Sequence, residues 1–310
     1  MAEMLSITVY FLAADDANKP KNMNEAIIYS CNRPLGKGKY KVFAIFANES
    51  NLAEKIDFSK KIVFLIHGNE PLPHELKHDY STHVDANVCE IIWARVEDVM
   101  PSKTRKTRAA ASSEFIAYFI TKLHEKHQVD YGRITMVGHG IGAQIAGVVG
   151  NRIGGGRDKK GIGEIYALNP YGRREIDKQQ HIDERLSLDD ANYVQVIQTT
   201  NGEYLQDFAH QVFHPNLGKA PQLPCIYKDD ATDECADKMA IEYFRYSLDK
   251  NNVFMGQQCL DSYFYLRREC FKKQDRMGIY AKKKVNGHFF FETFGAPPYT
   301  PRDYNKLMDD

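Results

Sequence analysis

The stretch that most constrains this chain is Ile134-Thr-Met-Val-Gly-His-Gly-Ile-Gly-Ala-Gln-Ile-Ala-Gly147. An apolar strand runs into Gly-x-x-x-Gly and then directly into a helix of small residues, which is the geometry of a nucleophile elbow. The outer glycines, Gly138 and Gly142, let the chain turn sharply and let helix and strand approach, so the central side chain stands exposed above the sheet. That central residue is Gly140. A glycine has no atom with which to attack a carbonyl, so acyl-enzyme chemistry cannot begin there. Taken alone, the three glycines could also form an anion-binding turn at a helix N-terminus. They lack the spacing of a dinucleotide fingerprint or a phosphate loop, and they lie far from an opening βαβ unit.

The surrounding pattern predicts alternating strands and helices. Strands are expected at Ile7–Leu12, Tyr40–Phe46, Lys61–Ile66, Val88–Val96, Arg133–Val137, Glu164–Leu168, Tyr193–Thr199 and Gly287–Thr293, from β-branched, aromatic or continuous apolar runs. Phe115, Ile116, Phe119, Ile120 and Leu123 recur at helical spacing, with Ser112 or Ser113 as the N-cap, and a second helix is expected over Ile141–Arg152. Such alternation implies a mainly parallel sheet covered on both faces. With 310 residues, 43% of them hydrophobic, the chain can bury a large core, and no repeat or linker marks a boundary, so one domain over 1–310 is expected.

Forty-one basic residues balance forty-one acidic ones, which gives no general attraction to nucleic acid. The basic run Lys103–Arg108 reads as a solvated loop before a helix, with a phosphate or lipid-headgroup contact as the lesser alternative. No stretch approaches the ~20 apolar residues of a membrane span, and no C-x-x-C or similar cluster predicts a metal or cofactor. Six cysteines occur, the last four as two close pairs: Cys225 with Cys235, and Cys259 with Cys270. Cys89 lies in an apolar run and reads as a buried thiol, a bridge to Cys31 being the lesser alternative. Asn48-Glu-Ser50 is a glycosylation acceptor. Bridges would imply an extracellular protein whose signal peptide has been removed.

Several segments, in order, resemble the pancreatic-lipase family of secreted animal lipases. Ile62–Gly68 is similar to that family's apolar strand ending in His-Gly, and Gly138–Gln144 to its G-H-S-L-G-A-H. Ala167-Leu-Asn-Pro170 resembles G-L-D-P, and Asp190–Thr199 resembles D-A-x-x-V-x-V-I-H-T. Phe213–Gly218 is similar to F-Y-P-N-G-G, and Cys235–Phe244 to C-S-H-x-R-A-x-x-Y-F. Met277-Gly278 and His288–Phe291 match the closing segments. The resemblance covers about residues 5 to 298. It implies an α/β-hydrolase fold without a C-terminal β-sandwich, and bridges Cys225–Cys235 around a lid and Cys259–Cys270 near the last strands.

Carried across position by position, the resemblance puts the nucleophile at Gly140, the acid at Asn169 and the base at Asp237, each a departure from the family. A serine needs an imidazole to take its proton and a carboxylate to hold that imidazole. The oxyanion donors would be the backbone N–H groups of Asn69 and Ile141, leaving either a polar notch for a carboxylate or carbonyl, or N–H groups bonded to water. His67 and His139 would line the cleft as packing residues, and His210 and His214 would be exposed. The loop between Cys225 and Cys235 is only nine residues long and acidic, too polar to open onto a lipid interface. Short lids of this kind resemble those of insect phospholipases A1 and insect lipase-like yolk proteins. The expected function is a non-catalytic yolk or storage protein carrying a small apolar ligand. The alternatives are an interaction protein using the old cleft and a weak esterase or phospholipase A1 with an unorthodox site. Expected partners are a fatty acid or other lipid, a second copy of the chain, or a receptor.

Overall fold

The computed structural model describes residues 20–154, 161–170, 185–200 and 208–300. The strand expected at Ile7–Leu12 lies outside them. Eleven strands among the described residues form one sheet: β1 Ile28–Gly36, β2 Lys39–Phe46, β3 Lys61–Ile66, β4 Ala86–Ile92, β5 Ile134–His139, β6 Glu164–Leu168, β7 Tyr193–Ile197, β8 Gln211–Pro215, β9 Met255–Cys259, β10 Gln274–Arg276 and β11 Gly287–Phe291. Their order is β10-β9-β11-β8-β7-β6-β5-β3-β4-β1-β2. From β4 across to β11 every pairing is parallel. The two flanks, β1–β2 and β9–β10, are antiparallel.

The longer helices are α1 His74–His83, α2 Arg105–His127, α3 Ile141–Ile153 and α4 Asp233–Ser247. β3 shows how they find their places. Ile62, Phe64 and Ile66 face a core shared with Ile116 and Phe119 of α2 and Ala143 and Ala146 of α3. Val63 and Leu65 face the opposite core, with Leu76 of α1 and Met239 and Ala240 of α4. A strand buried on both faces reads as a continuous apolar run, which is why β3 is legible as such. Each fully buried Leu, Ile or Phe contributes about 1.5–3 kcal/mol by leaving water. The result is an α/β-hydrolase fold, as the resemblance implies. No helix among the described residues is long and apolar enough to cross a membrane.

Several local expectations are corrected. The segment expected as a strand from Val88 to Val96 leaves the sheet after Ile92, and Val96 opens a short helix. α2 begins eight residues before Ser113: Thr104 is its N-cap, accepting from the Thr107 backbone N–H at 3.3 Å. Ser112 and Ser113 are buried within it, their hydroxyls donating to the carbonyls of Arg108 and Ala109. The run Lys103–Arg108 is therefore the cap and first turn of a helix. Cations there oppose the helix dipole, and the structure offsets them individually: Arg108 lies 3.5 Å from Glu97, and Arg105 reaches backbone carbonyls described below.

All six cysteines are bridged: Cys31–Cys89, Cys225–Cys235 and Cys259–Cys270. Cys89 is not a free thiol, because antiparallel pairing of β1 with β4 sets Cys31 directly opposite it. His214 is not exposed either. It is 1% accessible on β8, with Nε2 2.9 Å from Nδ1 of His288 on β11. His210 is half-buried, its Nδ1 accepting from the Val194 backbone N–H. Asn48 is exposed in the turn after β2.

Candidate functional site

The carboxyl ends of β3, β5 and β6 deliver the residues of interest to one place. Gly140 joins β5 to α3 with φ 56° and ψ −120°, a left-handed conformation that favours glycine. Its N–H donates to the Leu168 carbonyl at 3.0 Å. The flanking glycines are required by contact: a Cβ on Gly142 would lie 2.3 Å from the Ile66 carbonyl oxygen, and one on Gly138 would lie 2.4 Å from that of Gly142. Backbone thus touches backbone where β3, β5 and α3 meet, and the elbow is held by packing whatever stands at its tip.

Asn169 follows β6 and is 2% accessible, also with a positive φ, 41°. Its Oδ1 accepts from four donors: Gln198 Nε2 at 2.9 Å, the N–H groups of Thr199 and Thr200 at 3.2 Å each, and Thr200 Oγ1 at 3.0 Å. Those donors fix the amide's orientation, so Nδ2 is directed at Asp237 Oδ1, 2.5 Å away on α4. Asp237 is 9% accessible. Its other oxygen lies 3.2 Å from His139 Nε2, a close approach off the N–H line of a hydrogen bond. The imidazole's Nδ1 faces Gly68, 3.3 Å from where a Cβ would be. The carboxylate here is therefore on the helix, the amide at the strand end, and the imidazole beside the elbow. The hydrogen bond joins Asn169 to Asp237, His139 lies against that carboxylate, and Gly140 carries no side chain.

The loop after β3 is pinned. His67 is 5% accessible and stacks on Trp93. The Trp93 backbone N–H points at His67 Nε2 from 3.4 Å, so Nδ1 carries the proton and donates to the Gly68 carbonyl at 3.1 Å. Burial pushes the His67 imidazole down to about 4, with nearby Arg105 lowering it further and the Gly68 contact opposing. His67 is thus a neutral packing residue. Arg105 donates to the carbonyls of Gly68 at 3.2 Å and Asn69 at 3.0 Å, fixing the backbone that carries the Asn69 N–H. Asn69, next to Gly68, is exposed and Ile141, next to Gly140, is half-buried, whereas His139, Gly140, Asn169 and Asp237 are buried.

Arg105, Trp93, Gln198 and Thr200 were missed from sequence. Trp93 is the sole tryptophan, and Arg105 lies in a basic run, but neither fact points to a loop thirty residues away. All nine residues between Cys225 and Cys235 are exposed, and Cys235 lies in the first turn of α4, its N–H donating to the cap Thr232. Among the described residues no group of His, Cys, Asp or Glu is arranged to hold a metal ion.

A family model described as Lipase matches residues 37–299. Human pancreatic lipase-related protein 3 is 27% identical over 217 residues, which are 59% of this chain and 45% of that protein. Probable phospholipase A1 magnifin of Vespa magnifica is 32% identical over 148 residues, 46% of this chain and 41% of its own. Phospholipase A1 of Vespa velutina is 29% identical over 216 residues, 64% and 66% of the two chains. The chain spans about half the length of the curated relatives it matches. With the model covering most of its length and the elbow, sheet and bridges in place, this chain belongs to the lipase family.

Proposed function

We propose that this chain is a non-catalytic, extracellular lipase-fold protein of one domain, with a yolk or storage-type role and a small apolar ligand as its cargo. The observation that carries the reading is the elbow. Gly140 supplies no reacting atom, and behind it an amide donates to a carboxylate where the family's relay needs a carboxylate to hold an imidazole. His139 offers no replacement base. Its Nε2 lies 3.2 Å from a carboxylate oxygen of Asp237, and Gly140 beside it presents no hydroxyl for an imidazole to deprotonate. The three bridges support an oxidising compartment. The short, exposed, acidic segment between Cys225 and Cys235 supports a lid that does not open in response to a lipid interface.

The test is hydrolysis of p-nitrophenyl butyrate and of phosphatidylcholine by purified protein, against a heat-inactivated control. No difference is expected. Saturable turnover that disappears in His139→Ala would overturn the reading and establish an enzyme with an unorthodox site. Mass spectrometry of protein from its natural source then separates the non-catalytic roles. Abundance with co-purifying lipid supports storage and carriage, whereas scarce, lipid-free protein supports an interaction role for the old cleft.

A further inference from the structure

Large apolar side chains are exposed unevenly. Ten are prominent among the described residues, and four of them, Leu260, Tyr263, Leu266 and Phe271, fall within twelve consecutive positions. The same segment carries exposed Arg267 and Arg268, and exposed Lys272 and Lys273 follow it directly; of its two carboxylates, Asp261 and Glu269, the second lies 3.0 Å from Arg267. It is closed at its base by the Cys259–Cys270 bridge.

We propose that this bridged loop, with the Phe271–Lys273 stretch that follows it, is a docking surface for anionic lipid membranes. Its short helix, Ser262–Leu266, is capped by Asp261, whose carboxylate accepts from the N–H groups of Tyr263 and Phe264. Tyr265 stacks on Phe290 of β11 at 5.4 Å and holds the helix against the sheet. Tyr263 and Leu266, three residues apart, share the other face and are 59% and 67% accessible. Arg267 lies over the Tyr263 ring at 5.4 Å and bonds its hydroxyl, so a cation accompanies the aromatic at the surface. Apolar tips at fixed positions beside cations suit an interface where acyl chains lie under negative headgroups. A nucleic acid or soluble polyanion would use the cations and leave Leu260 and Leu266 in water. Bridge, cap and stack fix the loop beforehand, so docking orders little chain.

The location separates this surface from the elbow. Cys259 stands opposite His288, at the beginning of β11, whereas Gly140 and Asn169 follow the carboxyl ends of β5 and β6. A chain attached here is tethered through the other end of its parallel strands and does not feed lipid to the old cleft.

The experiment is co-sedimentation of the intact chain with vesicles of phosphatidylcholine mixed with phosphatidylserine, and with phosphatidylcholine alone. Attachment to the mixed vesicles, weakening as salt rises, is expected. The pair Lys272→Gln and Lys273→Gln should reduce it roughly thirtyfold, and the pair Tyr263→Ser and Leu266→Ser should reduce it as well. All four side chains are exposed, and an unchanged melting temperature confirms that each variant is folded. Equal attachment to neutral vesicles, no attachment to mixed ones, or indifference to either pair would overturn the proposal. Retention on heparin without vesicle binding would also overturn it, showing a polyanion site instead.

Discussion

The elbow end of the sheet and its β8–β11 flank are stabilised in different ways. Around Gly138, Gly140 and Gly142 the backbones of β3, β5 and α3 are in direct contact, and the packed atoms are main chain. At the flank, strands of three to five residues are held by side chains, with stacked Phe213 and Phe289 on one face and a buried polar network beside them. Gln211 donates to Asp275 and to the Val285 carbonyl, and His214 meets His288. A main-chain junction tolerates replacement of the side chains at its tip, because shape does not depend on them. A side-chain network fails when one member changes protonation or identity.

Acid should show the largest effect and reveal which region fails first. His67 at the elbow, and His214 and His288 at the flank, are all pushed down chiefly by burial, His67 to about 4. The unfolded chain binds these protons near pH 6.5 and the folded chain does not, so stability is full above that value and falls as pH drops toward 4. His67 alone accounts for about 3 kcal/mol of this loss. Glu90, raised by burial, acts in the opposite sense. Urea midpoints measured across this range should fall, with amide exchange rising first at β8 and β11. Earlier exchange at β3 would contradict the contrast.

Gly142→Ala tests the main-chain junction. The new methyl would meet the Ile66 and His67 carbonyl oxygens at 2.3 and 2.6 Å, and a loss of about 3 kcal/mol is expected in denaturant unfolding. A loss below about 1 kcal/mol would show the junction to be softer than its contacts imply.

Much of this was legible from residues alone, and the misses have a common cause. β3 and β6 coincide with their expected bounds because their apolar runs record burial on both faces. The elbow was legible because only glycine meets its contacts. β1 and β8 were missed. Asn32, Pro34, Gln211 and His214 look like loop residues until the distant partners of the buried ones are known: Asn32 donates to Ser81 and Gln211 to Asp275. Without β1 the Cys31–Cys89 pairing had no register to support it. At the site, the positions of Gly140, Asn169 and Asp237 could be assigned by resemblance. The amide-to-carboxylate bond between the last two, and the approach of His139, depend on where α4 lies over the strand ends.

Asn169→Asp probes that bond. The four donors on Oδ1 would serve a carboxylate equally well, but the new oxygen would confront Asp237. A loss of about 2 kcal/mol at neutral pH is expected, shrinking relative to the parent protein as either carboxyl takes a proton. Adding Asp237→His should restore the loss; failure to do so would place the effect elsewhere in the network. The smallest effect is expected from Gly140→Ser. Its positive φ costs about 1 kcal/mol, and on the proposed reading ester hydrolysis should stay at background, because the position that the resemblance gives to the base is Asp237 and not an imidazole. Turnover in that single variant would show that His139 can swing into service.

The bridges also order events during oxidative folding. Cys225–Cys235 and Cys259–Cys270 span separations of 10 and 11 residues, while Cys31–Cys89 spans 58. Chain entropy makes the long closure roughly tenfold less probable than either short one in an unstructured chain. The long closure becomes competitive only after β1 has docked beside β4 and set the two thiols opposite each other. Two bridges therefore form as local clasps, and the third records that a pairing across the sheet has been completed. A population arrested with two bridges would mark chains whose β1 edge has not yet been added.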